Sequence, residues 1–261
     1  MSIIIFLICL LASFVGAICG IGGGIIIKPL LDALSVMDVA AISFLSGFTV
    51  FIMSFYSIVQ CRLSKSSSVE GRIGTPLAIG AVLGGIGGKA LFSKLSALGG
   101  DLRTVGAIQA LCLLLLTLGT LLYTLFKDKI ATRRVDHIAP AFLIGGVLGM
   151  LSSFLGIGGG PMNLVVLYYF FSMRTKEAAE NSLYIIMFSQ AASLILAVIT
   201  GRIPEFDRMY FLLMAFGGLA GGILGRHVNK TIKEETVHRL FIFLMILMIL
   251  INLYNLYHFM R

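Results

Sequence analysis

The sequence predicts an all-α protein, a polytopic bundle of membrane helices built from two tandem repeats. Of its 261 residues, 58% are hydrophobic and only 12% are charged, whereas a soluble domain carries about 25% charged residues. Apolar runs long enough to cross a bilayer, which takes about 20 residues per helix, fill nearly the whole chain. Two glycine-rich motifs also recur in the same order in both halves. We expect a multi-pass protein of the cytoplasmic (inner) cell membrane.

Eight long apolar segments and two short ones make up the predicted bundle. The long segments can each cross the bilayer once, and they are Ser2–Cys19, Asp38–Gln60, Gly74–Leu95, Leu102–Phe126, Ile138–Leu155, Ala178–Thr200, Asp207–His227 and Thr236–Phe259. The short segments, Ile25–Leu34 and Pro161–Phe171, follow the first and fifth long ones. Each is about half a crossing in length and is separated from its predecessor by a glycine run. We therefore expect about four long helices and one glycine-broken, re-entrant half-helix in each repeat.

The two halves of the chain repeat one another. Gly20-Ile-Gly-Gly-Gly24 recurs as Gly156-Ile-Gly-Gly-Gly160, 136 positions later. A second motif, three glycines at four-residue spacing followed by a cation, recurs 137 positions later, first as Gly80, Gly84, Gly88 and Lys89 and then as Gly217, Gly221, Gly225 and Arg226. We predict a first transmembrane repeat over residues 1–126, a charged linker over 127–137 and a second transmembrane repeat over 138–261.

The distribution of positive charge favours inverted repeats over parallel ones. If each glycine-broken element makes a single crossing, the repeats are parallel and the 20 Lys and Arg residues divide ten and ten between the two sides. If the element re-enters, the repeats are inverted and the 20 residues divide thirteen and seven. Because cytoplasmic loops carry an excess of Lys and Arg, we expect the inverted arrangement, with the N-terminus outside and the linker in the cytoplasm.

The two glycine runs are the predicted binding site. Irregular backbone persists in a membrane only where it is buried in protein or faces a water-filled cavity, and four glycines in five residues disfavour helix. A half-helix that begins after such a break directs free N–H groups and the positive end of its dipole into the cavity. Two such N-termini near the midplane would bind an anion, as in secondary transporters. The predicted contacts are Gly20, Gly22, Gly23, Gly24, Gly156, Gly158, Gly159 and Gly160.

Four polar side chains near the breaks are further candidate contacts. Lys28 lies four residues after the first run, where a buried lysine indicates function, although it could instead snorkel to the interface. Asn163 lies three residues after the second run, and Asn181 and Ser182 are in the segment after the second half-helix. The glycines at four-residue spacing have a different expected role, because that spacing places them on one helix face, where they allow close helix packing.

The sequence indicates neither catalysis nor a cofactor. It contains no GxxxxGKS/T loop and no GxGxxG fingerprint for nucleotides. The four cysteines lack CxxC spacing, and the four histidines lie in linkers or at segment ends, which is not the pattern of a metal site. The net charge of +8 comes from short loops without the interleaved aromatics of a nucleic-acid interface. We therefore expect no enzyme, no cofactor and no nucleic-acid partner.

Taken together, these motifs resemble the sulfite exporter TauE/SafE family of membrane permeases. The matching stretches are Gly20-Ile-Gly-Gly-Gly-Ile-Ile-Ile-Lys-Pro-Leu-Leu31, Gly156-Ile-Gly-Gly-Gly-Pro-Met-Asn163, residues 176–182, and residues 200–203 followed by 217–225. The resemblance spans nearly the full length. It implies transport, without ATP, of a small sulfur-containing anion such as sulfite or an organosulfonate.

Several alternatives stay open from the sequence alone. They are transport of another small anion, coupling to a proton or other ion, a channel, an intramembrane enzyme, and a membrane scaffold or assembly subunit without transport activity. If the chain is a carrier, we expect alternating access by one half rocking against the other.

Overall fold

The computed structural model describes the whole chain except residues 35, 65–68, 70, 99–101, 156–158 and 261. Its described part forms ten α-helices and no strand, with a single turn of 3-10 helix at Lys127–Lys129. The helices are α1 (Ser2–Cys19), α2 (Gly24–Leu34), α3 (Val39–Leu63), α4 (Gly71–Leu98), α5 (Leu102–Phe126), α6 (Ile138–Leu155), α7 (Pro161–Phe171), α8 (Thr175–Ile199), α9 (Arg208–Thr231) and α10 (Glu234–Met260). The eight long and two short segments predicted from the sequence are all helical.

Within the described residues, seven helices are long and apolar enough to cross a membrane. They are α1, α3, α4, α6, α8, α9 and α10. The two short helices α2 and α7 have 11 residues each, which at about 1.5 Å per residue reaches only halfway across a bilayer. Large apolar side chains such as Ile3, Leu143 and Ile199 face outward, 67–77% exposed, as expected of a surface in contact with lipid. The chain is a polytopic helical membrane protein, as predicted.

The closest helix packing joins the two halves of the sequence. Helix α4 packs along α6, and α1 packs along α9. A Cβ added at Gly84 would overlap the Gly146 carbonyl oxygen, and one at Gly221 would overlap the Leu10 carbonyl oxygen. The backbones are in contact at both crossings, which only small residues permit. The packing role predicted for the spaced glycines is therefore confirmed.

The order of these contacts gives the direction of each helix. Along α9, Gly217, Gly221 and Gly225 meet Phe6, Leu10 and Phe14 in turn, so α1 and α9 run parallel. The same order holds for Gly80, Gly84 and Gly88 of α4 against residues 142, 146 and 150 of α6. Helix α3 also runs parallel to α9, since Gly218 and Gly222 meet Thr49 and Met53. Helices α1 and α3 run in the same direction, so the chain must come back to the end of the bundle where α1 begins before α3 can start. Helix α2 is the segment that runs back to that end.

The bundle therefore has two ends, named here by what they carry. The linker end carries residues 127–137 and the α7–α8 connection, which are held together because the Ser172 hydroxyl donates to Thr132 Oγ1 at 2.7 Å. At the same end, the Arg133 amide donates to the Tyr169 carbonyl at 2.7 Å, and Lys127 Nζ lies 3.4 Å from His238 Nδ1 near the start of α10. The N-terminal end carries the start of α1 and the α8–α9 connection.

Candidate functional site

The first glycine run breaks the helix in the way its composition predicts. Helix α1 ends at Cys19, and the next residues include three glycines in the left-handed region, Gly20 (φ 76°), Gly22 (φ 80°) and Gly23 (φ 60°). Residues with a Cβ rarely adopt this conformation. The chain folds back so far that a Cβ on Gly23 would lie 2.9 Å from the carbonyl oxygen of Ala12 in α1. Helix α2, which begins at Gly24, therefore starts beside the middle of α1 rather than at its end.

The second glycine run is described only in part. Helix α6 ends at Leu155, and Gly156 and Gly158 lie outside the described residues. Gly159 (φ 118°) and Gly160 (φ 122°) have backbone conformations that favour glycine. Pro161 then occupies the first turn of α7, the position in a helix where its missing N–H removes no hydrogen bond.

Both breaks meet one side chain of α8. A Cβ on Gly22 would lie 3.0 Å from Ile186 Cδ1, and a Cβ on Gly159 would lie 3.0 Å from the same carbon. Ile186 is fully buried. The two half-helices therefore begin on either side of a single residue in the interior of the bundle. The positive ends of two helix dipoles converge there, which is an arrangement suited to an anion.

Asn163 is the polar side chain most clearly placed for a ligand at this point. It is 1% exposed, and its Nδ2 lies 3.1 Å from the position that a Cβ on Gly159 would occupy. Neither Nδ2 nor Oδ1 has a hydrogen-bond partner among the described residues. A buried polar group left without a partner costs about 1–3 kcal/mol, and such groups are rare in folded proteins. Asn163 therefore has hydrogen-bonding capacity that a bound anion would use.

Ser182 lies along the first break. It is fully buried, and its Oγ has no partner within the described part of the chain. It shares one face of α8 with Ala179 and Ile186, which are three residues before it and four after it. Gly20 packs on Ala179 and Gly22 packs on Ile186, so the hydroxyl of Ser182 is between these two contacts.

Lys28 is buried inside the bundle and joins the two halves. Only 4% of the residue is exposed, so the snorkelling alternative does not describe this conformation. Its Nζ donates to the carbonyl oxygen of Leu155 at 3.3 Å. Leu155 is the last residue of α6, directly before the second glycine run, and a cation at a helix C-terminus is favoured by the helix dipole. Lys28 thus holds the first half-helix against the start of the second break.

Asn181 faces a different helix. Its Oδ1 lies 3.4 Å from the Cβ position of Gly74 in α4, and its Nδ2 donates to the Glu177 carbonyl at 3.0 Å. The structure therefore places Gly22, Gly159, Asn163 and Ser182 around Ile186, with Lys28 bonded beside the second break and Asn181 turned towards α4.

The space beside Asn163 is closed in this conformation, whereas a neighbouring cavity lined by Ile25, Gly159 and Pro161 has room for a water-sized sphere. A crevice beside the second break is lined by residues of α4, α6 and α8 together with Gly159 and Asn163, and it has no room for a water-sized sphere. Ile186 fills the space between the breaks. Among the residues that the structure describes, no three His, Cys, Asp or Glu side chains lie close enough together to hold a metal ion.

Sequence reasoning missed two residues of this region. Ile186 was overlooked because an apolar residue in an apolar helix carries no distinguishing signal. The repeat supplies a signal for Ile186. The equivalent residue 136 positions earlier is Val50, and a Cβ added at Gly22 would lie 3.2 Å from its side chain. The other is Ser13 of α1, which is fully buried beside Gly23 and whose Oγ has no partner in the described residues.

Comparison with known proteins gives a consistent result. The family model for the sulfite exporter TauE/SafE matches residues 5–251. The chain is similar to the probable membrane transporter protein YunE of Bacillus subtilis (strain 168), with 26% identity over 266 residues, which cover 94% of each chain. It is also similar to a probable membrane transporter protein of Haemophilus influenzae, with 25% identity over 255 residues, covering 92% of this chain and 95% of the relative. No solved structure matches.

Proposed function

The chain belongs to the sulfite exporter TauE/SafE family, a family of membrane transporters, and we propose that it is a secondary carrier of a small sulfur-containing anion. Sulfite, an organosulfonate or another sulfur oxyanion is the proposed substrate, and the inner cell membrane is the proposed location. The observation that carries this proposal is the meeting of the two half-helix N-termini at Ile186, beside an Asn163 amide that has no partner among the described residues.

The chemistry of the site fits an oxyanion. The Asn163 side-chain amide is a hydrogen-bond donor, and the Ser182 hydroxyl can also donate. The backbone amides of Ile26 and Ile27 in the first turn of α2 already donate to the Gly23 carbonyl, so the contribution of the two N-termini is the positive end of each helix dipole. Hydrogen bonds to a charged acceptor are about twice as strong as neutral ones. They are stronger still in an interior of low dielectric constant. The described residues that line the crevice beside Asn163 include no cation, so binding relies on dipoles, with Lys28 at the end of α6.

The helix directions support an inverted repeat. Helices α1 and α6 occupy equivalent places in the two halves and run in opposite directions, since α4 follows α3 after a short connection and runs parallel to α6. Under this proposal the linker end is cytoplasmic, which agrees with the expected excess of Lys and Arg. Cysteines introduced at Lys129 and Arg174 would then react with an impermeant thiol reagent from the same side. Reaction from opposite sides would contradict the inverted arrangement.

The close packing bears on how such a carrier would move. Backbone contacts tie α1 to α9 and α4 to α6, so the sequence halves are not free to rock against each other as separate bodies. We instead place the motion between two mixed units, one containing α1 and α9 and the other containing α4 and α6. The breaks and Ile186 lie between these units. Sliding of one unit past the other would open the closed site to one end at a time.

Reconstitution tests the proposal directly. Purified protein in liposomes is expected to take up labelled sulfite or a labelled sulfonate, with saturation and counterflow. The Gly87→Ala variant is the matched control, because a Cβ at Gly87 meets nothing within 4 Å. Failure to move sulfite, sulfate and a sulfonate under imposed proton and potential gradients would overturn the sulfur-anion proposal.

The same assay separates the alternatives. Competition by a different small anion would identify another substrate class. A dependence of uptake on the imposed proton gradient would identify a coupling proton. A scaffold is indicated if the wild-type protein moves no solute in liposomes and if the Gly22→Ala variant still supports the host pathway in cells.

A further inference from the structure

A second polar crevice lies farther along α4, towards the N-terminal end, and was not among the predicted sites. Lys89 follows the last glycine of the α4 triplet, and its Nζ donates to Ser193 Oγ at 2.8 Å and to the Ser193 carbonyl at 3.2 Å. The crevice around it is lined by three hydroxyl-bearing residues, Ser153, Ser189 and Ser193, from α6 and α8. Lys89 forms no ion pair with any described acidic residue. The crevice thus combines one ammonium group with several hydroxyls.

This crevice adjoins the candidate site at Ile186. Ser189 lines both the Lys89 crevice and the crevice beside Gly159 and Asn163. Gly85 lies between the two crevices, and a Cβ there would lie 2.9 Å from Ser153 Oγ. Neither crevice has room for a water-sized sphere in this conformation. Along α8, the order from Ile186 through Ser189 to Ser193 runs from the linker end towards the N-terminal end. The Lys89 crevice therefore lies between the two breaks and the N-terminal end of the bundle.

The equivalent cation in the other half has different neighbours. Arg226 follows the matching glycine triplet of α9, and both Arg226 and Glu180 act electrostatically on the thiol of Cys61, which hydrogen-bonds with Glu180. A carboxylate therefore accompanies the cation on that side. Ser57, which precedes Ser193 by 136 positions, donates instead to the Met53 carbonyl of its own helix. Of the two cations, Lys89 is therefore the one whose side chain donates to a serine.

We propose that Lys89, with Ser153, Ser189 and Ser193, forms a second anion-binding site through which the substrate passes between the two breaks and the N-terminal end. The inference rests on the proposed anion transport. Lys89 lies within the candidate membrane span of α4, and an ionisable residue in such a span indicates a functional site. An ammonium group and hydroxyls together supply the donors that an oxyanion requires once it has lost water. An anionic lipid headgroup has the same chemistry, so the test has to separate the two.

Equilibrium binding of labelled sulfite tests the site without requiring transport. The probe is titrated into purified protein in lipid-free detergent, with sulfate and a sulfonate as competitors. Wild-type protein is expected to bind two anions per chain, and Lys89→Gln is expected to bind one. Arg208→Gln is the matched control, because Arg208 is an exposed cation at the same end, and it is expected to bind two. Equal stoichiometry for wild type and Lys89→Gln would overturn the proposal.

Transport kinetics give a second readout in liposomes of phosphatidylcholine alone. Lys89→Gln is expected to raise KM about tenfold, and Ser193→Ala about threefold, while Lys89→Arg stays close to wild type. If the Lys89→Gln protein fails to fold, Ser193→Ala carries the test, since alanine fits a helix well. An unchanged KM for Ser193→Ala and Lys89→Gln would contradict the site.

Two further outcomes have distinct meanings. A KM that changes only when anionic lipid is added would assign Lys89 to a lipid headgroup and overturn the substrate site. Wild-type protein that neither binds nor moves any of the three anions would refute the proposed function itself.

Discussion

The two glycine crossings of the bundle are alike in backbone and unlike in side chains. At α4 with α6 and at α9 with α1, the same spacing of three glycines brings the two backbones into contact. The cation after each triplet has different surroundings, since Lys89 bonds to Ser193 and Arg226 lies near Glu180 and Cys61. Packing therefore imposes the twofold pattern on the backbone, and the polar side chains beside it are free to differ.

The two half-helices differ in a complementary way. Lys28 of α2 corresponds to Leu164 in α7, and Asn163 of α7 corresponds to Ile27 in α2, at 136 positions in each case. At each of these two positions, one half-helix carries a polar side chain where the other carries an apolar one. Binding specificity, on this view, comes from the departures from the repeat.

The largest effect is expected where the two crossings are alike. Gly84→Leu and Gly221→Leu would each drive a side chain into the backbone of the facing helix, a change too large to be absorbed by side-chain movement. Both variants are expected to abolish folded protein, as measured by size-exclusion chromatography in detergent. Gly87→Leu is the control, since nothing lies within 4 Å of its Cβ position. If only one of the Gly84→Leu and Gly221→Leu proteins fails to fold, the two helix crossings are not equivalent.

A smaller but still large effect is expected at α7, the half-helix that carries Asn163. Asn163→Asp places a carboxylate where an anion would bind and is expected to reduce uptake about 100-fold, a difference that corresponds to about 2.8 kcal/mol. Ile27→Val changes the equivalent position of α2 and is expected to leave KM unchanged, with a loss of about 0.5–1.5 kcal/mol of stability. Initial rates of labelled uptake measure both. Normal uptake by Asn163→Asp would remove Asn163 from the site.

The next largest effect on uptake is expected from a substitution in the first glycine run. Gly22→Ala forces alanine into a left-handed conformation, which costs about 1–2 kcal/mol, and presses its Cβ on Ile186. Uptake is expected to fall about tenfold. Gly201→Ala has the same backbone strain at φ 62° but open space around it, and it is expected to transport normally. Equal loss in both variants would mean that backbone strain alone, and not the meeting with Ile186, explains the effect.

The smallest effect is expected at the cation with a carboxylate nearby. Arg226→Gln leaves Glu180 buried with less positive charge around it and is expected to lower the melting temperature by several degrees, with KM little changed. Adding Glu180→Gln is expected to restore part of the loss, because the buried carboxylate is then removed as well. A thermal melt in detergent measures both. A rise in KM for Arg226→Gln comparable to that of Lys89→Gln would erase the contrast between the two cations.

Most of the fold could be predicted because the bilayer sets the length of each helix. The ten segments, the half-length of α2 and α7, and the non-helical glycines all follow from apolar length and glycine content. The pairing of α1 with α9 and α4 with α6 could not be predicted, because local sequence does not say which helix faces a glycine triplet. The glycine spacing predicted close helix packing but did not identify the partner helix.

The candidate site was less predictable than the fold. Gly22, Gly159 and Asn163 are adjacent in space because both breaks fold onto α8 at Ile186, an apolar residue with no signal of its own. The bond from Lys28 to the Leu155 carbonyl depends on how the two halves meet. Lys89 was visible in the repeated motif, but its hydroxyl neighbours come from two other helices.

The central claim is that the two breaks together hold an anion, and binding of labelled sulfite by scintillation proximity tests it most directly. Wild type is expected to bind saturably, with competition from a sulfonate. Gly22→Ala and Asn163→Asp, each altering one break, are expected to lose the high-affinity component while eluting as folded protein. Wild-type binding that both variants retain unchanged would show that the anion, if held at all, is held elsewhere.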